Sequence, residues 1–343
     1  MARSTFKNFK STRSMVAITA VSGLALAACG GAGAAGGDAG AAGGEGAVDT
    51  AGLDFITIAA GDTSGPYYMI GSAMATAITE KTGIDATVQA TGASVENIQL
   101  LTTGDAEIAF AMGDSTRQAL DKTAQFADVA DSEKVTALTA LYPNYVQIVT
   151  TKKSGITSVD EMRGKRIGVG DINSGVELNA RMIFEAHGMT YDDVEEDYLS
   201  YSEAIDQMKN GLVDAAFVTS GLPNASVMDL ATTDDVVIVP IEGDGMKKLL
   251  ELYPFFKDDK IPGGTYDEAE DVPTASIMNQ LLLSPKLTED QAYVLTKAIF
   301  ESLDTIHAAH NAANGITLDS VEDGLVAPLN PGSKRYFDEV AGK

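Results

Sequence analysis

Two loops hold the residues best placed for chemistry. One reads Gly61-Asp62-Thr63-Ser64-Gly65-Pro66-Tyr67-Tyr68 and the other Gly170-Asp171-Ile172-Asn173-Ser174-Gly175-Val176. Each follows a short apolar run, Phe55 to Ala59 and Arg166 to Val169, and each opens a segment of helical spacing. Ile70, Ala73, Met74, Ala77 and Ile78 make the first helical stripe, and Leu178, Ala180, Met182, Ile183 and Ala186 the second, which ends at Gly188. Such loops lie at the carboxyl ends of parallel strands, where α/β folds bind ligands. Free N–H groups and the helix macrodipole favour an anion there. Thr63-Ser64 and Asn173-Ser174 add hydroxyl and amide donors at matched points. As single loops they would read as plain N-caps. As a matched pair they make binding about as good a reading as capping. Neither carries Gly-x-Gly-x-x-Gly or Gly-Lys-Ser/Thr, so neither is a phosphate signature.

Catalysis finds little support. Of three histidines, His307 and His310 lie three apart on an expected helix but lack a Glu or Cys at metal-ligand spacing, so a solvated face is the better reading. His187 precedes Gly188 at a helix end, where His commonly serves the dipole. No Gly-x-Ser-x-Gly elbow occurs. The runs Asp192-Asp193, Glu195-Glu196-Asp197 and 267–271 lack calcium-loop spacing and read as solvated faces. No catalytic group, metal or cofactor is expected.

The elements that position the loops form a half-repeat. Gly104-Asp105-Ala106-Glu107-Ile108-Ala109-Phe110-Ala111 begins 43 residues after Gly61, and Gly211-Leu212-Val213-Asp214-Ala215-Ala216-Phe217-Val218 begins 41 after Gly170. The same order therefore occurs twice: strand, polar loop, helix, strand, helix, Gly-capped strand. That alternation implies parallel sheets covered by helices, in two lobes with a crevice between them.

With 24 Lys and Arg against 49 Asp and Glu, the formal charge of the 343-residue chain is −25. A chain this acidic cannot neutralise phosphates, which excludes a nucleic-acid partner. The N-terminus is the exception, with Arg3, Lys7, Lys10 and Arg13 before an uncharged stretch from Met15 to Ala28. That is a secretory-signal order, and the stretch is too short to span a bilayer. Leu26-Ala27-Ala28-Cys29 resembles the lipobox of bacterial lipoproteins, and Cys29 is the only cysteine. The resemblance implies cleavage after residue 28 and a diacylglycerol on Cys29. Residues 29–52 read as a Gly/Ala tether, with ten of the 34 glycines between Gly30 and Gly52. Cleavage would remove four positive charges and leave −29.

Nine short segments, in order, resemble the TAXI-type receptors of tripartite ATP-independent periplasmic (TRAP) transporters. They are Thr63 to Tyr68, Thr91 to Asn97, Leu138 to Pro143, Gly164 to Gly170, Asn173 to Gly175, Gly211 to Phe217, Gly221 to Pro223, Ile261 to Tyr266, and Val272 to Thr274. The resemblance spans Leu53 to Glu339. It implies a two-lobed class II periplasmic-binding-protein fold, a Venus flytrap, each lobe a mixed, mostly parallel sheet flanked by helices. Lobe one would comprise 53–149 and 274–343 and lobe two 150–273, with crossings at Tyr145–Val149 and Ser276–Leu283. The implied function is that of a lipid-anchored, extracytoplasmic monomer. It would capture a small carboxylate or amino acid, glutamate-like or dicarboxylate, for an ion-gradient-driven membrane permease. A ligand-sensing lipoprotein, and more distantly an extracytoplasmic hydrolase, are the alternatives.

Carried over by position, Thr63, Ser64, Gly65 and Tyr68 would line one wall, with Ser94 and Asn97 beside them. Asn173, Ser174, Gly175 and Val176 would hold a carboxylate from the other lobe, with Ser220 and Gly221 after the second capped strand. Tyr142 would sit at a crossing. Asp114 would take an ammonium group or, on equal terms, cap the helix through Arg117 and Leu120. Pro66 stands where the family usually has Gly, which removes an N–H donor. Asn330-Pro331-Gly332 stands where it often has His-Pro-Gly. No Lys or Arg occurs in the cleft motifs, so a ligand with an amino group is favoured.

Overall fold

A computed structural model describes residues 51–266 and 268–342. The basic leader, Cys29 and the Gly/Ala run through residue 50 lie outside the described residues. In chain order the first half runs β1 (Phe55–Ala59), α1 (Pro66–Thr82), β2 (Asp85–Gln89), α2 (Ser94–Thr103), β3 (Ile108–Met112) and α3 (Gly113–Asp121). A long strand, β4 (Thr136–Thr151), leads into the second half. There follow β5 (Arg166–Gly168), α4 (Gly175–Ala186), β6 (Glu195–Asp197), α5 (Tyr201–Lys209), β7 (Ala215–Ser220), α6 (Ala225–Ala231), β8 (Val236–Val239), α7 (Gly243–Leu252) and β9 (Phe256–Ile261). Strand β10 (Val272–Leu283) returns to the first half, which α8 (Glu289–Phe300), α9 (Leu303–Ala309) and α10 (Pro331–Val340) complete.

The strands join in the order β2-β1-β3-β10-β4-β7-β5-β6, with β8 on β4 and β9 on β10. β1 is parallel to β2 and β3, and β5 to β6 and β7. β10 and β4 are antiparallel to each other and enter both halves: β10 pairs with β9 over Val272–Ile277 and with β3 over Asn279–Leu283. β4 begins at Thr136, well before the expected crossing at Tyr145. Pro143 does not end it, because it stands beside the register shift between Met278 and Gln280, where a strand accommodates a residue without an N–H.

The repeat has a physical basis in hydrogen bonding. Glu107 Oε2 accepts the Thr57 N–H (2.7 Å) and the Glu107 N–H donates to Thr57 O. Asp214 Oδ2 likewise accepts the Arg166 N–H (3.0 Å), and the Asp214 N–H donates to Arg166 O. Each acid, three residues past its capping glycine, thus clasps the first strand of its own half. Gly104 and Gly211 both have positive φ, 81° and 70°, which glycine adopts without strain.

Two apolar layers flank the sheet. Ile70, Met74 and Ile78 of α1 pack with Ile56, Ile58, Phe110 and Leu281 and with Leu295 and Ile299 of α8. On the other face Ile183 and Phe184 pack with Phe217, Met246 and Leu249. Each such side chain, once fully buried, contributes about 1.5–3 kcal/mol. The acidic run Glu195–Asp197 forms the exposed edge strand β6, where charge discourages pairing with another chain.

Asn330 supplies the N-cap of α10, accepting from the Gly332 N–H at 2.8 Å and donating to Thr136 Oγ1 at 2.8 Å. Gly332 itself packs against the backbone at the start of α8. The histidines also serve carbonyls. His187 Nδ1 bonds Ile183 O (2.8 Å), His307 Nε2 bonds Ile316 O (2.9 Å), and His310 lies past the end of α9 with Nε2 3.1 Å from Pro223 O. The expected solvated face of His307 and His310 is therefore corrected: both are half-buried, because these carbonyls recruit them.

Candidate functional site

One cavity opens where the carboxyl ends of the parallel strands in the two halves face each other. The space between its walls, counting the part open to solvent, is about 500 Å³. The first half contributes Gly61, Asp62, Gly65, Pro66 and Tyr67 at the start of α1, Gly92 and Ala93 before α2, and Met112. The second contributes Gly170, Asp171, Ser174 and Val176 at the start of α4, Leu199 and Tyr201 at the start of α5, and Thr219 and Ser220 at the end of β7. Asn144 of β4 forms part of the wall between them. Helix N-termini from both halves therefore converge on one space, and no Lys or Arg lines it among the described residues.

Of the residues expected from the sequence, Gly65, Ser174, Val176 and Ser220 stand in the cavity wall. Ser174 Oγ is also the N-cap of α4, accepting from the Glu177 N–H at 3.0 Å. The others stand elsewhere. Thr63 lines a shallow groove outside the cavity. Tyr68 packs into the apolar layer while its neighbour Tyr67 takes the cavity. Successive helical residues point about 100° apart, and the seating of α1 on the sheet turns Tyr67 inward. There Tyr67 stacks on Phe110 at 4.8 Å and its hydroxyl donates to Asn279 Oδ1 at 2.5 Å.

Ser94 and Asn97 are structural. Ser94 Oγ accepts the Met112 N–H (3.1 Å), and the Asn97 amide donates to Ala60 O (2.6 Å) and Phe110 O (2.8 Å). Gly175 lies against Met112 and Ser94 of the other half, and Gly221 against Tyr142 and Ala312. Asn173 is exposed with φ 63°, an uncommon conformation that Asn tolerates. Asp114 is buried and is not the N-cap of α3, because its carboxylate lies inside the first turn and faces Asn179.

Several of these residues join the halves. Asn179 Nδ2 donates to Asp114 Oδ2 (2.7 Å), Ser202 Oγ to Asp62 Oδ2 (3.1 Å), and Ser226 Oγ to Ser64 Oγ (2.8 Å). The Glu96 N–H donates to Asn173 O (3.3 Å). These four bonds join the halves.

Sequence reasoning passed over Asp62, Asn144, Asp171, Tyr201 and Thr219, and of the adjacent tyrosines it named Tyr68 rather than Tyr67. The signal for two of them was present, since both loops open Gly-Asp. Asn144 and Thr219 are polar residues inside strands. Each keeps a buried oxygen, Asn144 Oδ1 and Thr219 Oγ1, with no protein partner, as does Tyr142 with its hydroxyl. Buried polar atoms in native proteins are normally paired, so a cavity walled by two unpaired ones is suited to a polar solute.

Burial sets the electrostatics. It raises the phenols of Tyr67, Tyr142 and Tyr201 above their ordinary value, so all three stay neutral. Asp171 is pushed up to about 6 by burial first and then by Glu203, Asp62 and Glu96. Asp114 is also raised to about 6, by burial, against the lowering effect of its bonds with Ser115 and Asn179. A carboxyl raised in the fold binds its proton more tightly folded than unfolded. Asp114 therefore destabilises the fold above pH 6, and that cost fades as pH falls toward 4, a difference on the order of 2–3 kcal/mol. Asp114→Asn should thus flatten the pH dependence of thermal melting between pH 4 and 6. A variant whose melting profile parallels that of the wild type would refute this.

Residues 58–341 match the NMT1-like family. Among solved structures, a protein of Bordetella bronchiseptica RB50 is 17% identical over 84% of this chain and 98% of its own, with a TM-score of 0.52. PhnD1 of Prochlorococcus marinus MIT 9301, solved with methylphosphonate, is 10% identical over 85% of this chain and 99% of its own, at 0.51. A protein described as a periplasmic transporter is 13% identical over 84% and 93%, also at 0.51. At such identities the likeness is one of fold, the two-lobed α/β periplasmic-binding-protein fold. With 58–341 matched from the β1 strand to the end of α10, this chain belongs to the NMT1-like family.

Proposed function

We propose that this chain is an extracytoplasmic solute-binding protein that closes its two lobes over a small carboxylate or amino acid. One observation carries the reading. A space between the lobes is walled by helix starts from both and by Asn144 and Thr219, each of which keeps an unpaired buried oxygen. The starts of α1 and α4 would face the carboxylate, at Gly65 and at Ser174 and Val176, while Ser220, Tyr67, Asn144 and Thr219 orient the remainder. Thr63, Ser64, Asn173, Gly175 and Asp114 act at the seam, and Ser94, Asn97, Tyr68, Tyr142 and Gly221 support the walls. Ligand bound between lobes stabilises the closed arrangement over the open one by its differential contacts.

The resemblance of its motifs to TAXI-type receptors favours delivery of the solute to the membrane subunits of an ion-driven TRAP permease. Lipid on Cys29 would hold the chain at the membrane. Native mass spectrometry of the purified protein should reveal a co-purifying carboxylate or amino acid. The intact mass should include a diacylglyceryl group on a chain beginning at Cys29. If no carboxylate or amino acid co-purified and none raised the melting temperature, the solute-binding reading would fail.

A further inference from the structure

The cavity is short of positive charge where it most needs it. Four carboxylates gather at its mouth, Asp62 and Glu96 from one lobe and Asp171 and Glu203 from the other. Three of them are engaged. Asp62 accepts from Ser64 and Ser202, Glu96 Oε2 from the Gly92 N–H (2.6 Å), and Glu203 Oε2 from the Ser200 N–H (3.1 Å) and hydroxyl (2.9 Å). The Asp171 carboxylate, half-buried in the cavity wall, has no hydrogen-bond or ion-pair partner among the described residues. Asn144, 3% exposed and part of the same cavity lining, keeps a second unpaired acceptor in its Oδ1. Unpaired acceptors beside a concentration of like charge are suited to a donor that brings positive charge. A metal ion is the poorer occupant, since no group of three His, Cys, Asp or Glu able to hold one occurs among the described residues.

We propose that Asp171 and Asp62, one from each lobe, form a split subsite for the ammonium group of the solute, which is therefore an amino acid rather than a simple carboxylate. This rests on the solute-binding reading above and narrows it. The carboxylate of the amino acid lies toward the helix starts and its ammonium toward the mouth, where it cancels repulsion between the closing lobes. Without an ammonium, closure brings Asp62 and Glu96 toward Asp171 and Glu203 uncompensated. Asp171 is the sensitive member because its carboxylate accepts from no donor among the described residues.

The test uses the mature chain and matched pairs of probes in a calcium-free, EDTA-containing buffer. The twenty standard L-amino acids are assayed by calorimetry, each beside the acid that lacks only its amino group, such as glutarate for glutamate or propionate for alanine. At least one amino acid should bind about 100-fold or more tighter than its partner. Asp171→Asn should weaken that amino acid about tenfold or more, as expected for loss of a charge-assisted hydrogen bond, and Asp171→Glu should recover part of the loss. Affinity should also fall as pH drops through 6, where Asp171, facing Asp62, Glu96, Glu203 and Tyr201, takes up a proton. Equal binding of the paired acids, or an Asp171→Asn variant that binds as well as or better than the wild type, would overturn the proposal and leave the solute-binding reading intact. The wild-type pairs decide the matter even if the variants fail to fold. If neither amino acids nor carboxylates bind, the solute-binding reading falls and this proposal with it.

Discussion

Gly175→Val should abolish solute capture while leaving the ligand-free protein folded. A side-chain carbon at this position would lie 2.8 Å from Ser94 Oγ and 3.1 Å from Ser94 Cβ, and nearer still to the tip of Met112. Met112 can move, being a flexible side chain. Ser94 cannot, because its hydroxyl is held by the Met112 N–H. Both obstacles belong to the opposite lobe, so the clash exists only when the lobes meet. Valine would act as a wedge that the open arrangement tolerates. The affinity for the co-purifying solute should fall by about 100-fold or more, because the closed state becomes the disfavoured one. X-ray scattering should show no contraction on adding the solute, and the ligand-free melting temperature should stay within about 3 °C of the wild type. Solute binding within tenfold of the wild type would show that Gly175 does not lie in a closing seam.

Gly332→Ala should give the largest loss of stability. An added methyl would meet Glu289 O at 2.1 Å and the Tyr293 nitrogen at 2.7 Å. These are backbone atoms of α8, which cannot swing aside as a side chain can. α10 would have to lift from α8, breaking the packing of Tyr336 against Tyr293 and Phe300. A loss of about 3 kcal/mol is expected, at the upper end for overpacking, lowering the melting temperature by at least about 5 °C. Gly83→Ala makes a useful contrast: its φ is +75° but nothing stands within 4 Å, so only the left-handed strain of about 1 kcal/mol applies. Equal losses at the two positions would mean that the close approach of α10 to α8 is unimportant.

Much of the fold was legible because its signals are local and occur twice. The loops after β1 and β5, the helices they open, and the glycines before β3 and β7 each depend on a few neighbouring residues. The acids Glu107 and Asp214 were visible as a pattern, and their clasp on the first strand explains it. The site was harder to read. Whether Tyr67 or Tyr68 faces the cavity depends on how α1 is rotated on the sheet, which no local spacing specifies. Asn144 and Thr219 look like ordinary strand residues until β4 and β7 bring them together. Serines and asparagines in loops proved mostly to be caps and seam contacts, since backbone groups at helix ends compete with a solute for the same oxygens. The matched Gly-Asp openings were the one overlooked sign that the cavity bears negative charge.

The passage of β4 and β10 through both halves also makes the first half depend on distant chain for its sheet. The second half is nearly continuous in the chain, whereas the first half lacks its antiparallel neighbour until β10 has emerged. Until then β3 presents an unpaired edge, the kind of surface that invites aggregation. A chain truncated before residue 272 would therefore leave the first half with an open sheet edge. The sheet of the first half is thus sealed by residues that lie more than 150 positions beyond β3 in the chain.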